Sequence, residues 1–228
     1  MKRNIAILLA AAAMVAAQTP DGAGIGHSMK QNAEALQRYS YKRRTEITVK
    51  DRSLGTRVDL VRYVDGKMET TPIEAPPPLA QSGRGGLRGK IVEKKIAKKK
   101  EEMKEDRERI ESLLHSYLSP GSEAMRSMLE KATISRTAPG PDADIKVVAT
   151  GVAKPSDSFT LVWSVVNHRP VSIEIRAELD GKPVQLSVEY SVLKDGPFYA
   201  AHTLISVPKK ETVIRIDTSD YILSGEAK

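Results

Sequence analysis

Four histidines, His27, His115, His168 and His202, are the residues most able to move protons or bind metal near neutral pH. A zinc site needs further ligands at close spacing, and none of the four has another histidine three to five residues away. No H-E-x-x-H motif occurs. His115, within a helical pattern, and His202, within a strand pattern, are read as structural side chains with satisfied nitrogens. Gly26-His27-Ser28 has the start of a nucleophile elbow, but Lys30 stands where its second glycine belongs and no strand precedes it. The chain has no cysteine, which excludes thiol catalysis, disulfides and cysteine-ligated zinc. Carboxylates are plentiful but alternate with bases, and no pair stands alone on an apolar background as general acid–base work requires. With no Walker loop and no G-x-G-x-x-G, neither an enzyme nor a cofactor or metal site is expected.

Binding is the remaining class. The formal charge of +7 falls to +5 without Lys2 and Arg3. Arg84, Arg88, Lys94, Lys95, Lys98 and Lys99 concentrate positive charge over residues 84–104, a candidate docking segment for an anionic membrane surface or an envelope protein. Glu93, Glu101, Glu102, Glu105 and Asp106 are interleaved with those lysines, which also fits a solvated helix face. Gly83 to Gly89 resembles an RNA-binding Arg-Gly segment, but it is a single copy without aromatics, and no nucleic-acid partner is expected. Leu60, Trp163, Ile175, Val188 and Leu204 fall on apolar strand faces. They are candidates to line a ligand cavity, and equally candidates for ordinary core.

The N-terminus decides where such charge would act. Lys2 and Arg3 precede an uncharged run from Ile5 to Ala17, and Val15-Ala16-Ala17 offers small residues before Gln18. That is the pattern of a cleavable secretory signal over 1–17, too short to span a bilayer. Export, most simply to the periplasm, turns the basic surplus from nucleic acid toward envelope surfaces.

These candidates are carried by a regular series of elements. A flexible Gly-rich leader (18–28) precedes a short amphipathic helix over about 29–38, with Ser28 as its N-cap. Residues 39–49 alternate as a strand, with Tyr39, Tyr41, Arg43, Thr45, Ile47 and Val49 on one side. A turn over 50–55 leads to strand 56–64, where Val58, Leu60 and Val64 share a face with Arg62. Asp65-Gly66 then closes a hairpin onto 67–73. The Pro- and Gly-rich stretch 74–90 is a linker. Apolar residues at three- to four-residue spacing predict a helix over about 91–118 and a shorter one over 123–131. Six strands follow, at 145–150, 159–166, 171–179, 184–192, 198–207 and 213–217, the last with an extension over 221–223, and with Asp180-Gly181 and Asp195-Gly196 as turns. The expected class is α+β: a curved antiparallel sheet or unclosed β-barrel of nine strands, with helices packed on its concave face.

This layout, with the Tyr-x-Tyr-x-x-Arg-Thr-Glu strand at Tyr39 to Glu46 and the Arg-Tyr-Val-Asp-Gly hairpin at Arg62 to Gly66, resembles the periplasmic lipoprotein-localisation (LolA/LolB-like) superfamily. The resemblance is strongest to a bacterial branch carrying the Gly-Leu-Arg-Gly-Lys-Ile-Val-Glu-Lys-Lys segment found here at Gly86–Lys95. It implies one LolA-like domain over 29–223 interrupted by the linker, a short tail at 224–228, and an apolar cavity that holds acyl chains. The function it implies is a non-catalytic carrier for a lipid, acyl chain or lipidated ligand. The alternative is an envelope structural or interaction protein that docks through residues 84–104.

Overall fold

The computed structural model describes residues 22–74, 109, 110, 112, 117, 123–152, 154–194 and 196–224. The export signal, residues 75–90 of the expected linker and the basic segment expected at 84–104 lie outside them, as does His115, while Glu74 belongs to a strand.

Helix α1 spans Gly22–Leu36 and α2 spans Glu123–Glu130. Arg109, Ile110, Ser112 and Tyr117 also lie in helical conformation. The strands are β1 (Tyr39–Val49), β2 (Arg52–Val64), β3 (Lys67–Glu74), β4 (Thr133–Arg136), β5 (Ile145–Thr150), β6 (Ser158–Ser164), β7 (Arg169–Leu179), β8 (Lys182–Val192), β9 (Phe198–Val207) and β10 (Thr212–Leu223). They form one sheet in the order β3-β2-β1-β10-β9-β8-β7-β6-β5-β4. Every described pairing is antiparallel. Two meanders, β1–β3 and β4–β10, are joined by the β1–β10 ladder, so the last described strand lies beside the first. No ladder joins β3 to β4 among the described residues, and the sheet is not closed.

Two hairpins follow directly from their turn residues. Asp65-Gly66 and Asp180-Gly181 adopt positive φ at both positions (49° and 73°, 52° and 71°), the geometry that matches the twist of the strands they join. Lys50-Asp51 does the same without glycine, at 52° and 59°. The turn expected over 50–55 is therefore only two residues long. Arg52, Ser53 and Leu54 belong to β2, and the surplus residue is absorbed as a register shift opposite Glu46–Thr48.

Alternation puts the apolar residues of β5–β9 on one side, called inner here. Val147 pairs with Leu161, Leu161 with Ile173, Ile173 with Val188, Ile175 with Leu186, and Leu186 with Ile205. All of these are nearly or fully buried. Ile25 and Met29, one turn apart on α1, join the same cluster with Met128 of α2, Ile110 and Tyr117. Each such side chain contributes about 1.5–3 kcal/mol when removed from water.

Three expectations are corrected. First, α1 begins at Gly22 and takes in residues 22–28 of the expected flexible leader, so Ser28 lies inside the helix. Its hydroxyl donates to the His168 carbonyl at 3.4 Å instead of capping. Second, a tenth strand, β4, precedes β5. Third, β2 presents the opposite face from the one its apolar pattern indicated. Asp59 and Val61 are buried, while Val64 is exposed and Leu60 only partly covered. The register explains this: Asp59 stands opposite Arg43 and Val61 opposite Tyr41, so the carboxylate is buried beside a cation.

Candidate binding face

The inner side of the sheet is not uniform. Over β5–β9 it is sealed by core, with Trp163, Ile175 and Val188 each 2% exposed. Toward β1 and β10 it becomes half-buried. Ile47, Ile216, Ala200 and Tyr190 pack against the core cluster without being closed over. Ile47 pairs with Ile214 and Thr45 with Ile216, so the alternation of β1 carries the apolar strip across the β1–β10 ladder.

The strip ends in a polar–aromatic cluster. Tyr41 and Arg43 continue the inner side of β1, opposite Val61 and Asp59 of β2. An extra residue in β10, placed where Ser40 pairs with Ile222 and Lys42 with Ser219, reverses its alternation. The bulge carries Asp220 at φ 53° and brings Tyr221 onto the same side as Tyr41. The two rings stack, with centroids 4.7 Å apart and planes 17° apart. Tyr199 of β9 completes the row, 4.4 Å from Tyr221. Hydrogen bonds fix its base: the Tyr221 hydroxyl donates to Thr218 Oγ1 at 3.1 Å, and Thr218 donates to the Ala200 carbonyl at 2.5 Å.

Charge in the cluster is unevenly matched. Arg57 Nε donates to Asp59 Oδ1 at 2.6 Å, a short charge-assisted bond. Arg43 makes one hydrogen bond among the described residues, from Nη2 to Asp59 Oδ2 at 3.4 Å, and its Nε is buried with no partner. One carboxylate thus serves two guanidinium groups and favours Arg57. Burial pushes the Tyr41 hydroxyl up to about 12, with Tyr63 adding to the rise and the Arg43 charge opposing it. Tyr63 is raised by burial and likewise held back by Arg43. Tyr221 is raised, chiefly by burial. All three are neutral hydroxyls near neutral pH, able to donate and accept.

A second polar feature anchors the helical segment. Tyr117, 1% exposed, donates its hydroxyl to Asp157 Oδ2 at 2.5 Å, and the Lys154 amide donates to the same oxygen at 2.8 Å. Asp157 is itself 2% exposed, and its Oδ1 has no partner among the described residues. Burial, then the bond to Asp157, raise the Tyr117 hydroxyl above its ordinary value.

Of the residues expected to line a cavity, Trp163, Ile175 and Val188 come together on the inner side, in the sealed part. Leu60 and Leu204 lie on the opposite side, opposite Lys42 and Arg215 respectively. On that outer side are two shallow, open depressions of about 200 and 180 Å³, lined mainly by polar side chains such as Glu174, Arg176, Gln185, Glu189 and Arg215. His202 projects there, its Nδ1 2.7 Å from Asp217 Oδ1, and His27 and His168 are exposed. Among the described residues no three acidic or histidine side chains converge as a metal site, and no helix is long and apolar enough to cross a membrane. The tyrosine–arginine cluster was within reach of the sequence only as two tyrosines and an arginine on the apolar side of one strand. Its other members come from β2, β9 and β10 and are assembled by register and a bulge.

No protein-family model matches the chain, and no curated protein matches it. Solved structures similar to it include a DUF1329 family protein from Desulfovibrio piger, at 10% identity over 91% of this chain and 93% of that one, TM-score 0.44. Another is a putative outer membrane lipoprotein-sorting protein domain from Vibrio parahaemolyticus, at 11% identity over 90% and 92%, TM-score 0.42. A third is a LolA superfamily protein from Nitrosomonas europaea, at 9% identity over 86% and 93%, TM-score 0.33.

Proposed function

We propose that the protein is an exported, non-catalytic binding or carrier protein of the periplasm for a lipid, an acyl chain or a lipidated ligand. The observation that carries this reading is the change along the inner side from sealed core to a half-buried apolar strip, Ile47–Ile216–Ala200–Tyr190, that ends in tyrosine hydroxyls and guanidinium groups. An amphiphile has that same order of parts, and ligand sites are typically apolar walls with a few placed polar groups. In this reading α1 and α2 lie over the concave side of the sheet. Trp163, Ile175 and Val188 form the floor beneath them, reached by a ligand only when those helices shift. The exposed outer depressions, open and polar, suit water better than an acyl chain.

Native mass spectrometry of protein purified from its producing cells without detergent tests the reading. Peaks heavier than the bare chain by the mass of an acyl-bearing molecule are expected. A bare-mass spectrum, together with no uptake of added acyl compounds, overturns it.

A further inference from the structure

We propose that Arg43 receives the oxyanion, carboxylate or phosphate, of an amphiphile's headgroup, whose chain then lies along the strip toward Ile216; this rests on the carrier reading above. The case begins with unmet hydrogen-bonding capacity. A guanidinium offers five donors in a fixed fork. Arg43 makes only the 3.4 Å contact to Asp59 among the described residues, and its Nε is buried and unpaired. A guanidinium donor shut away from water is costly to leave unpaired unless something supplies an acceptor.

The obvious internal acceptor is already committed. Asp59 is held at 2.6 Å by Arg57, and it is nearly sealed while Arg43 keeps 29% of its side chain exposed. Two cations against one anion leave one positive charge over, and Arg43 is the less neutralised of the two. Its setting favours an amphiphile over an ion in water. Tyr41 and Tyr63 feel its charge, Tyr221 and Tyr199 stack in turn beyond Tyr41, and Thr45 and Ile47 follow it along the same side of β1. An oxyanion at the Arg43 fork gains charge-assisted hydrogen bonds in surroundings drier than bulk water. The attached chain covers the half-buried isoleucines.

Binding of laurate, lauryl alcohol and acetate to the full chain and to Arg43→Gln and Arg43→Lys, read by calorimetry, tests this. Laurate is expected to bind about tenfold or more tighter than lauryl alcohol. In Arg43→Gln that preference is lost while alcohol binding is kept, and Arg43→Lys retains part of it. Acetate is expected not to compete with laurate at equal concentration. Laurate and the alcohol binding equally, with Arg43→Gln indistinguishable from the parent, overturns the role of Arg43 and leaves the carrier reading standing. Acetate competing as well as laurate overturns the headgroup assignment in favour of a free anion. Failure of both laurate and the alcohol to bind the parent overturns the carrier reading itself. Unchanged Trp163 emission confirms that each variant is folded.

Discussion

Tyr117 and Asp157 form the most deeply buried polar contact described, and they join the helical segment to the approach of β6. Among the described residues, Asp157 receives two hydrogen bonds on one oxygen and none on the other, so losing either donor leaves a buried carboxylate badly served. Tyr117→Phe is expected to destabilise the fold by about 1.5–3 kcal/mol, measured by urea unfolding followed at Trp163, the single tryptophan. A cost near zero would mean that the carboxylate finds another partner. The tyrosines also set an alkaline limit. A hydroxyl whose folded value lies above its unfolded 10.0 favours the folded state while protonated. That contribution is complete below pH 10 and is lost as pH rises through the folded value, about 12 for Tyr41. Tyr117, Tyr190 and Tyr221 shift in the same direction. Phenolate absorbance should therefore rise at higher pH in the native protein than in urea, with stability falling across that interval; coincident titrations would contradict the burial of these rings.

At the scale of elements, a two-way contact adds to the apolar face of α1 and the Ser28–His168 bond in holding that helix to the sheet. Asn32 Nδ2 donates to the Phe198 carbonyl and Asn32 Oδ1 accepts from the Phe198 amide, both at 2.8 Å, in the manner of a strand partner. Asn32→Ala removes both bonds and is expected to raise amide exchange in α1 well above that of β5–β8, with a global loss of about 1–3 kcal/mol. Uniform protection would show that Ile25 and Met29 suffice. The strands were the legible part of the sequence. Ile145–Thr150 and Phe198–Val207 were expected at the bounds observed, because alternation and turn residues act locally. The start of α1 was not legible, because Gly22, Gly24 and Gly26 disfavour a helix on their own and tertiary packing of Ile25 and Met29 overrides that preference. The inner face of β2 was hidden for a related reason. Asp59 is tolerated in the interior because Arg57, two residues before it on the same strand, and Arg43, opposite it on β1, both bond its carboxylate, and register between strands is not written in either strand alone.

Across the whole molecule, an unclosed sheet leaves two edges, β3 and β4. The β4 edge is four residues long. On β3, the closing pair Val64–Lys67 sets the alternation of the ladder, and Pro72 falls where its missing N–H points outward. A short strand and an outward proline are both means of discouraging further strand pairing. The sheet is thus open without inviting another strand, and its inner side, half sealed and half available, is the surface that distinguishes the molecule. In the carrier reading the available half takes an acyl chain. Uptake of a fluorescent acyl probe by the purified chain, compared with Ile216→Asp, tests it most directly. Saturable emission enhancement that Ile216→Asp abolishes, while Trp163 reports an intact fold, is the predicted result. No enhancement in the parent chain, or equal enhancement in both, would contradict it.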